Sequence, residues 1–295
     1  MRVVSFIAEG TASAESSLVA EGTPSAGVLL GEEIVPAAAL GAPASARKLL
    51  AALGRDELRA LAERAERSGA QRLALGEVTL AAPVPDAQKI ICIGLNYRDH
   101  AQETGQEIPQ APMWFAKFHN SLCGSGADIV LPSAHPDFVD YEAELALVVG
   151  RPTRNVAAAD ALARIAGVMP FNDVSARDLQ LQNPLWTSGK AIDTFAPCGP
   201  ALVTLDEVED LAGLTLRTRI DGDTVQEGTT ANLIFAPAEL VAWLSRTITL
   251  MPGDIIATGT PAGVGAAQGR FLRPGDTVEV EIEGIGTLSN PVRAE

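Results

Sequence analysis

The sequence is poor in the side chains that build many enzyme sites: 3 cysteines, 3 histidines and 4% aromatic residues among 295 positions. Cys92, Cys123 and Cys198 are odd in number, far apart and form no C-x-x-C pair, which implies a reduced, cytoplasmic protein without a disulfide frame. With His and Cys unclustered, a zinc centre lacks its usual nitrogen and sulfur donors. Few aromatics leave the core to Val, Leu, Ile and Ala. No apolar run approaches the roughly 18 residues of a membrane span, and the start MRVVSFIAEG turns polar too early for a signal-peptide core. Basic residues are also scarce, 22 against 37 acidic ones. The net charge of −15, with no basic cluster, excludes nucleic acid as a partner. The chain carries no P-loop, no G-x-G-x-x-G fingerprint and no G-x-S-x-G elbow, so neither a nucleotide nor an α/β-type serine hydrolase is implied.

What is present is core material, 47% hydrophobic, and turn material, 27 Gly and 19 Pro. Val3 to Ala8 reads as a strand and GVLLGEEIVPA as a hairpin around Gly31; the Ser/Ala/Gly-rich segment between them, from Glu9, reads as an exposed loop. Two helices should follow, capped by Ser45 and Asp56 and closed by Gly54 and Gly69. AAPVPDAQ, Ala81 to Gln88, reads as a linker, dividing a small N-terminal domain (1–82) from a larger one (83–295). Beyond it, KIICIGL suits a buried strand, LTLRTRI and TVQEG a hairpin about Asp221-Gly222, and TVEVEIEGIGTL two more strands folding at Gly284 to Gly286. Helices are expected near Asp160 to Ile165 and from Pro237. The composition is α+β, dominated by sheet and without a βαβ rhythm.

The most informative stretch is VDYEAELALVVG, Val139 to Gly150, read as a buried strand. Residues two apart in a strand share a face, so Glu142 and Glu144 stand side by side. Like charges that close need a cation between them. Asp173, in the polar turn FNDVSARD after an apolar stretch, offers a third carboxylate. Three carboxylates form an all-oxygen site suited to Mg2+ or Mn2+; the alternative is a solvated acidic face. His100 and Glu103, three apart in NYRDHAQE, are neighbours on a helical turn, either as an oriented general base or as a surface pair. Lys190, in WTSGKAIDTFAP, is placed to stabilise an oxyanion or to pair with Asp193. Arg177 and Asp178 are an ion pair or support for the site. His119 and His135 read as loop histidines. In ATGTPAGVG, backbone amides such as that of Gly259, with the Thr260 hydroxyl, can cradle a carboxylate, or the glycines serve a tight turn.

Taken in order, KIICIGLNYRDHAQE, FAKF with VLP downstream, VDYEAELALVVG, NDVSARD, GKAIDTFAP, PGDIIATGTPAGVG and LRPGDTVEVEIEGIGTL resemble the fumarylacetoacetate hydrolase family over roughly residues 88 to 291. The resemblance implies a mostly β catalytic domain behind a small N-terminal one, and a homodimer. It implies Glu142, Glu144 and Asp173 as metal ligands, His100 and Glu103 as a catalytic pair on a lid, Lys190 as the active-site lysine, and Thr260 as the threonine of the TGTP motif. Ala191, Met169-Pro170 and Phe118-His119 depart from residues common in the family, and those near Lys190 and His119 are expected to reshape the substrate pocket. The implied activity is C–C hydrolysis of an acylpyruvate or related 1,3-diketo acid, water being activated by His100. The alternative is an isomerase or decarboxylase of unsaturated 2-oxo diacids or of oxaloacetate. Either way the partner is a small anionic 2-oxo acid.

Overall fold

Strand Ala143–Val149 is buried along its whole length, and its two faces enter two different cores. Ala143, Leu145, Leu147 and Val149 point into a cluster shared with Leu216, Val280, Ile282 and Leu288. Ala146 and Val148 point into another, with Met169, Phe171 and Val3. Two-faced burial explains why this segment reads as a continuous apolar run with charge only at its start. At about 1.5–3 kcal/mol for each large side chain buried, the cores are the main source of stability.

In the computed structural model, residues 1–8 and 22–295 are described. An 11-stranded sheet runs in the order Leu73–Ala74, Glu33–Pro36, Ser25–Leu30, Arg2–Ala8, Leu202–Thr204, Ile165–Asn172, Ala143–Val149, Ile255–Ala257, Ile90–Gly94, Met113–Lys117, with Val78–Ala81 also paired to Arg2–Ala8. A five-stranded sheet, Asp223–Thr229, Thr215–Ile220, Thr277–Ile282, Gly286–Ala294, Ile129–Leu131, supplies the first core from the other side. Helix Pro237–Ser245 adds Leu240, Val241 and Leu244 to that core. Helices Ala46–Ala52 and Arg55–Arg67 add Leu49, Leu50, Leu58 and Leu61 to the other. The architecture is α+β and mostly strand, and the three expected hairpins form, around Gly31, at Asp221-Gly222 and at Gly284 to Gly286.

Several expectations shift in detail. The expected loop from Glu9 falls largely on residues 9–21, outside the described residues, and Ser25 to Gly27 already belong to a strand. Ser45 does cap its helix, accepting the Lys48 N–H at 3.4 Å. Asp56 does not: the cap of the second helix is Gly54, whose N–H donates to the Glu57 carboxylate at 2.7 Å. Ala82, Val84 and Ala87 of the expected linker are buried in the core. There the Ser5 hydroxyl donates to the Pro83 carbonyl at 2.9 Å. The segment before residue 82 and the one after it share a sheet through the pairing of Arg2–Ala8 with Leu202–Thr204. No helix among the described residues is long and apolar enough to cross a membrane.

Candidate active site

The site is assembled by strand register. Strand Ala143–Val149 runs antiparallel to Ile165–Asn172 with Ala143 opposite Asn172, so Asp173, one residue past the partner strand, falls beside Glu142. The Asp173 N–H donates to the Glu142 carbonyl at 3.0 Å, and the Glu142 N–H to the Asn172 side-chain oxygen at 3.0 Å. Glu142 itself lies just ahead of the strand, which begins at Ala143 rather than running unbroken from Val139. One carboxylate oxygen each from Glu142, Glu144 and Asp173 lies within 4.8 Å of the others, and all three residues are buried. The reading of a solvated acidic face is therefore excluded.

Three cations hold two of the carboxylates. Lys190 Nζ donates to Glu142 Oε2 at 2.7 Å and Asp173 Oδ2 at 2.9 Å. Lys117, the last residue of strand Met113–Lys117, donates to Asp173 Oδ1 at 2.6 Å and to the Val174 carbonyl at 2.9 Å. Arg177 bridges Asp140 and Glu142, its Nη2 2.7 Å from each. Lys190 thus faces the acidic cluster, while Asp193 accepts from Asn120 instead. Arg177 pairs with Asp140 and Glu142 rather than with its neighbour Asp178, which binds His135.

Glu144 is different. Its Oε2 accepts the Gly259 N–H at 2.8 Å, but no ion pair reaches it among the described residues. Burial, then Asp173 and Glu142, push its carboxyl well above the ordinary glutamate range. For Glu142 burial acts in the same direction, but Lys190 and Arg177 outweigh it and hold the carboxyl down at about 2. Burial lowers Lys117, partly offset by Asp173. Burial lowers Lys190 too, but Asp173 and Glu142 more than compensate and raise it.

His100 sits on the short helix Arg98–Glu103. Its Nδ1 is 3.1 Å from Glu103 Oε2, and the other Glu103 oxygen accepts the Gly263 N–H at 2.8 Å. Glu103 therefore orients the ring and ties the helix to the loop that follows strand Ile255–Ala257. The same loop is fixed elsewhere: Asp140 accepts the N–H groups of Gly265 and Ala266 at 2.6 and 2.9 Å. A cavity of about 370 Å³ joins these parts: His100, Glu103, Glu142, Glu144, Asp173, Arg177, Lys190 and Thr260 line it, and Gly259 does not. Gly259, expected to offer its amide to substrate, has committed that N–H to Glu144. Its φ of +102° and the 2.8 Å that a Cβ would leave to Asn96 Cβ explain the glycine. His119 lines a different cavity, so its departure from the family pattern does not reshape this one.

Three residues escaped the sequence reading: Lys117, Asp140 and Gln226. Lys117 carried a faint signal, a lysine ending an apolar strand in FAKF. Asp140 and Gln226 carried none, because hydrogen bonding to distant backbone leaves no local spacing.

The site suits a divalent cation. Its donors are all oxygen, and the cavity's four carboxylates (Glu103, Glu142, Glu144, Asp173) exceed the three nearby cations, Lys117, Arg177 and Lys190, with Arg177 also shared by Asp140. Glu144 in particular has no ion-pair partner among the described residues, and a hard ion is what such a ligand set selects.

Residues 89–293 match the sequence model for the C-terminal domain of fumarylacetoacetate hydrolase. The chain belongs to the fumarylacetoacetate hydrolase family. Among relatives of this family, human mitochondrial oxaloacetate tautomerase FAHD2A is 44% identical over 220 residues, covering 73% of this chain and 70% of that protein. The 5-carboxymethyl-2-hydroxymuconate delta-isomerase of Mycobacterium smegmatis is 33% identical, with a TM-score of 0.76 over 100% of this chain and 99% of its own. The maleylpyruvate hydrolase of Sphingobium sp., solved with manganese(II) and pyruvate, is 30% identical, with a TM-score of 0.80 and the same coverage. The family's fold thus serves proton transfer and hydrolysis alike, and one member holds a divalent ion.

Proposed function

We propose that this family member is a metal-dependent enzyme that moves a proton on a small 2-oxo acid, interconverting keto and enol forms or double-bond isomers, with oxaloacetate the first substrate to test. The observation that carries this is His100, oriented by Glu103, sharing one cavity with the three-carboxylate cluster. A divalent ion, Mg2+ or Mn2+, held by Glu142, Glu144 and Asp173 would neutralise the acid and lower the cost of negative charge on the 2-oxo group.

The protein's own residues do the rest. With its Nδ1–H donated to Glu103, His100 presents Nε2 as the base. It takes the proton from the carbon next to the 2-oxo group; the C–H electron pair becomes the C=C bond while the carbonyl pair moves to oxygen. His100 holds the proton until it returns to that oxygen or, for an isomerase, to a more distant carbon. Lys117, Lys190 and Arg177 fix Asp173 and Glu142, and the Thr260 hydroxyl binds the substrate carboxylate. The remaining wall is largely apolar, with Ile93, Leu95, Phe115, Leu181 and Trp186 and no further cation. A long diacid would bury its remote carboxylate against that wall without a partner, which is costly. A short diacid keeps both carboxylates near the polar end.

The relative named as a tautomerase supports proton transfer over the C–C hydrolysis inferred from the sequence. Hydrolysis is the second reading, favoured because an oriented His100 also suits water activation. A panel of oxaloacetate, acylpyruvates and a seven-carbon unsaturated diacid, with and without chelator, separates the two. Proton transfer leaves mass unchanged while enol absorbance changes, and chelation stops it. Two fragments containing added water would instead establish hydrolysis, loss of CO2 decarboxylation, and turnover of none would refute every reading.

A further inference from the structure

Gln226 lies in strand Asp223–Thr229 of the small sheet, is 2% exposed, and satisfies all four hydrogen-bonding positions of its amide. Its Oε1 accepts the Ala143 N–H at 3.0 Å and the Thr218 hydroxyl at 2.7 Å. Its Nε2 donates to the Pro261 carbonyl at 2.9 Å and to Thr260 Oγ1 at 2.7 Å. Two of these partners have no choice of role, since a backbone N–H only donates and a carbonyl only accepts. They fix which end of the amide is which. Thr260 must therefore accept from Gln226, and its hydroxyl proton is left over. No acceptor takes that proton among the described residues, and Thr260 lines the cavity that holds the carboxylate cluster.

From this we infer that Gln226 is a positioning residue: by occupying the Thr260 oxygen with an N–H, it makes Thr260 an obligate hydrogen-bond donor toward the carboxylate of the bound 2-oxo acid. The inference rests on the proposed substrate class. It extends to the metal ligands, because the Ala143 N–H held by Gln226 lies between Glu142 and Glu144 in the chain. One amide thus sets the spacing between the strand that carries the carboxylates and the loop that faces them. A glutamate at 226 reverses the polarity: it has no N–H, the Thr260 proton turns to it, and oxygen lone pairs face the substrate anion.

The test is a double-mutant cycle with two readouts: KM and kcat on whichever 2-oxo acid is turned over, and the dissociation constant of oxalate, a planar anion like the enolised acid, by calorimetry on metal-loaded protein. Thr260→Val is expected to raise KM and the oxalate constant about tenfold, the loss of one charge-assisted hydrogen bond, with kcat within about twofold. Thr260→Ser should retain both. Gln226→Glu should raise them by about tenfold or more in the wild-type background but by less than about twofold in Thr260→Val, where no hydroxyl remains to turn. If the buried glutamate prevents folding, Gln226→Met replaces it, with a smaller rise that again vanishes in Thr260→Val. The same factor in both backgrounds, or unchanged oxalate binding in Thr260→Val, overturns the inference. Inactivity toward all 2-oxo acids would refute the proposed function instead, and oxalate binding would still decide the role of Thr260.

Discussion

Glu142 and Glu144 are two residues apart and both buried, yet their charges act on stability in opposite directions. Glu142, held at about 2 by Lys190 and Arg177 against the effect of burial, contributes stability that is present above the ordinary value of 4.5 and lost as pH falls through about 2. Glu144, raised by burial and by its acidic neighbours, costs the metal-free fold stability as pH rises from 4.5 toward its raised value. Chelator-treated Glu142→Gln should therefore be destabilised at neutral pH by about 3–5 kcal/mol, since Lys190 and Arg177 lose a buried partner. Chelator-treated Glu144→Gln should be stabilised by about 1–3 kcal/mol, its amide oxygen still accepting from Gly259. Thermal and denaturant unfolding of the two variants measures both, and a loss of stability in Glu144→Gln would contradict the electrostatic assignment. Spacing alone pairs these two glutamates, so the pair was legible in the sequence. The opposite environments were not, because Lys190 and Arg177 reach Glu142 from separate segments and leave Glu144 without either.

At the scale of elements, period-2 alternation marks the strands of the small sheet, and Asp221-Gly222 marks their first turn, so those pieces can be read directly. The cap at Gly54 cannot, because a glutamate three residues on supplies the bond that the cap residue lacks. Nor can the antiparallel register that sets Asp173 beside Glu142, since it depends on two strands meeting. The helix Arg98–Glu103 shows both sides: its His–Glu spacing is visible, but the anchor of Glu103 on the Gly263 N–H is not. In that anchor one oxygen orients His100 while the other fixes the helix to the loop. Glu103→Gln keeps an acceptor for Gly263 but removes the negative charge that faces His100 Nδ1. Its kcat should fall about 10- to 100-fold with KM nearly unchanged; unchanged kcat would remove Glu103 from the catalytic pair.

Over the whole molecule, a net charge of −15 repels anions, so substrate attraction must be local, and the carboxylate cluster is itself a source of repulsion until an ion enters it. The large sheet ends at strand Met113–Lys117, where Trp114 and Phe118 are 48% and 56% exposed. A homodimer, the assembly implied by the family resemblance, would cover such residues. Sedimentation is expected to give twice the 30.7 kDa chain mass, reduced toward one chain in Trp114→Lys; a single-chain mass for the unaltered protein would refute the dimer. The N-terminal strands extend the catalytic sheet rather than standing apart, which the change in sequence texture near residue 82 conceals. At the adjoining ends of two paired strands, Glu142, Glu144 and Asp173 are proposed to form a divalent ion site. Calorimetric titration of Mg2+ and Mn2+ into chelator-treated protein tests it most directly. One ion per chain is expected, with binding lost in Glu144→Ala; no binding to the unaltered protein, or equal affinity in the variant, would contradict it.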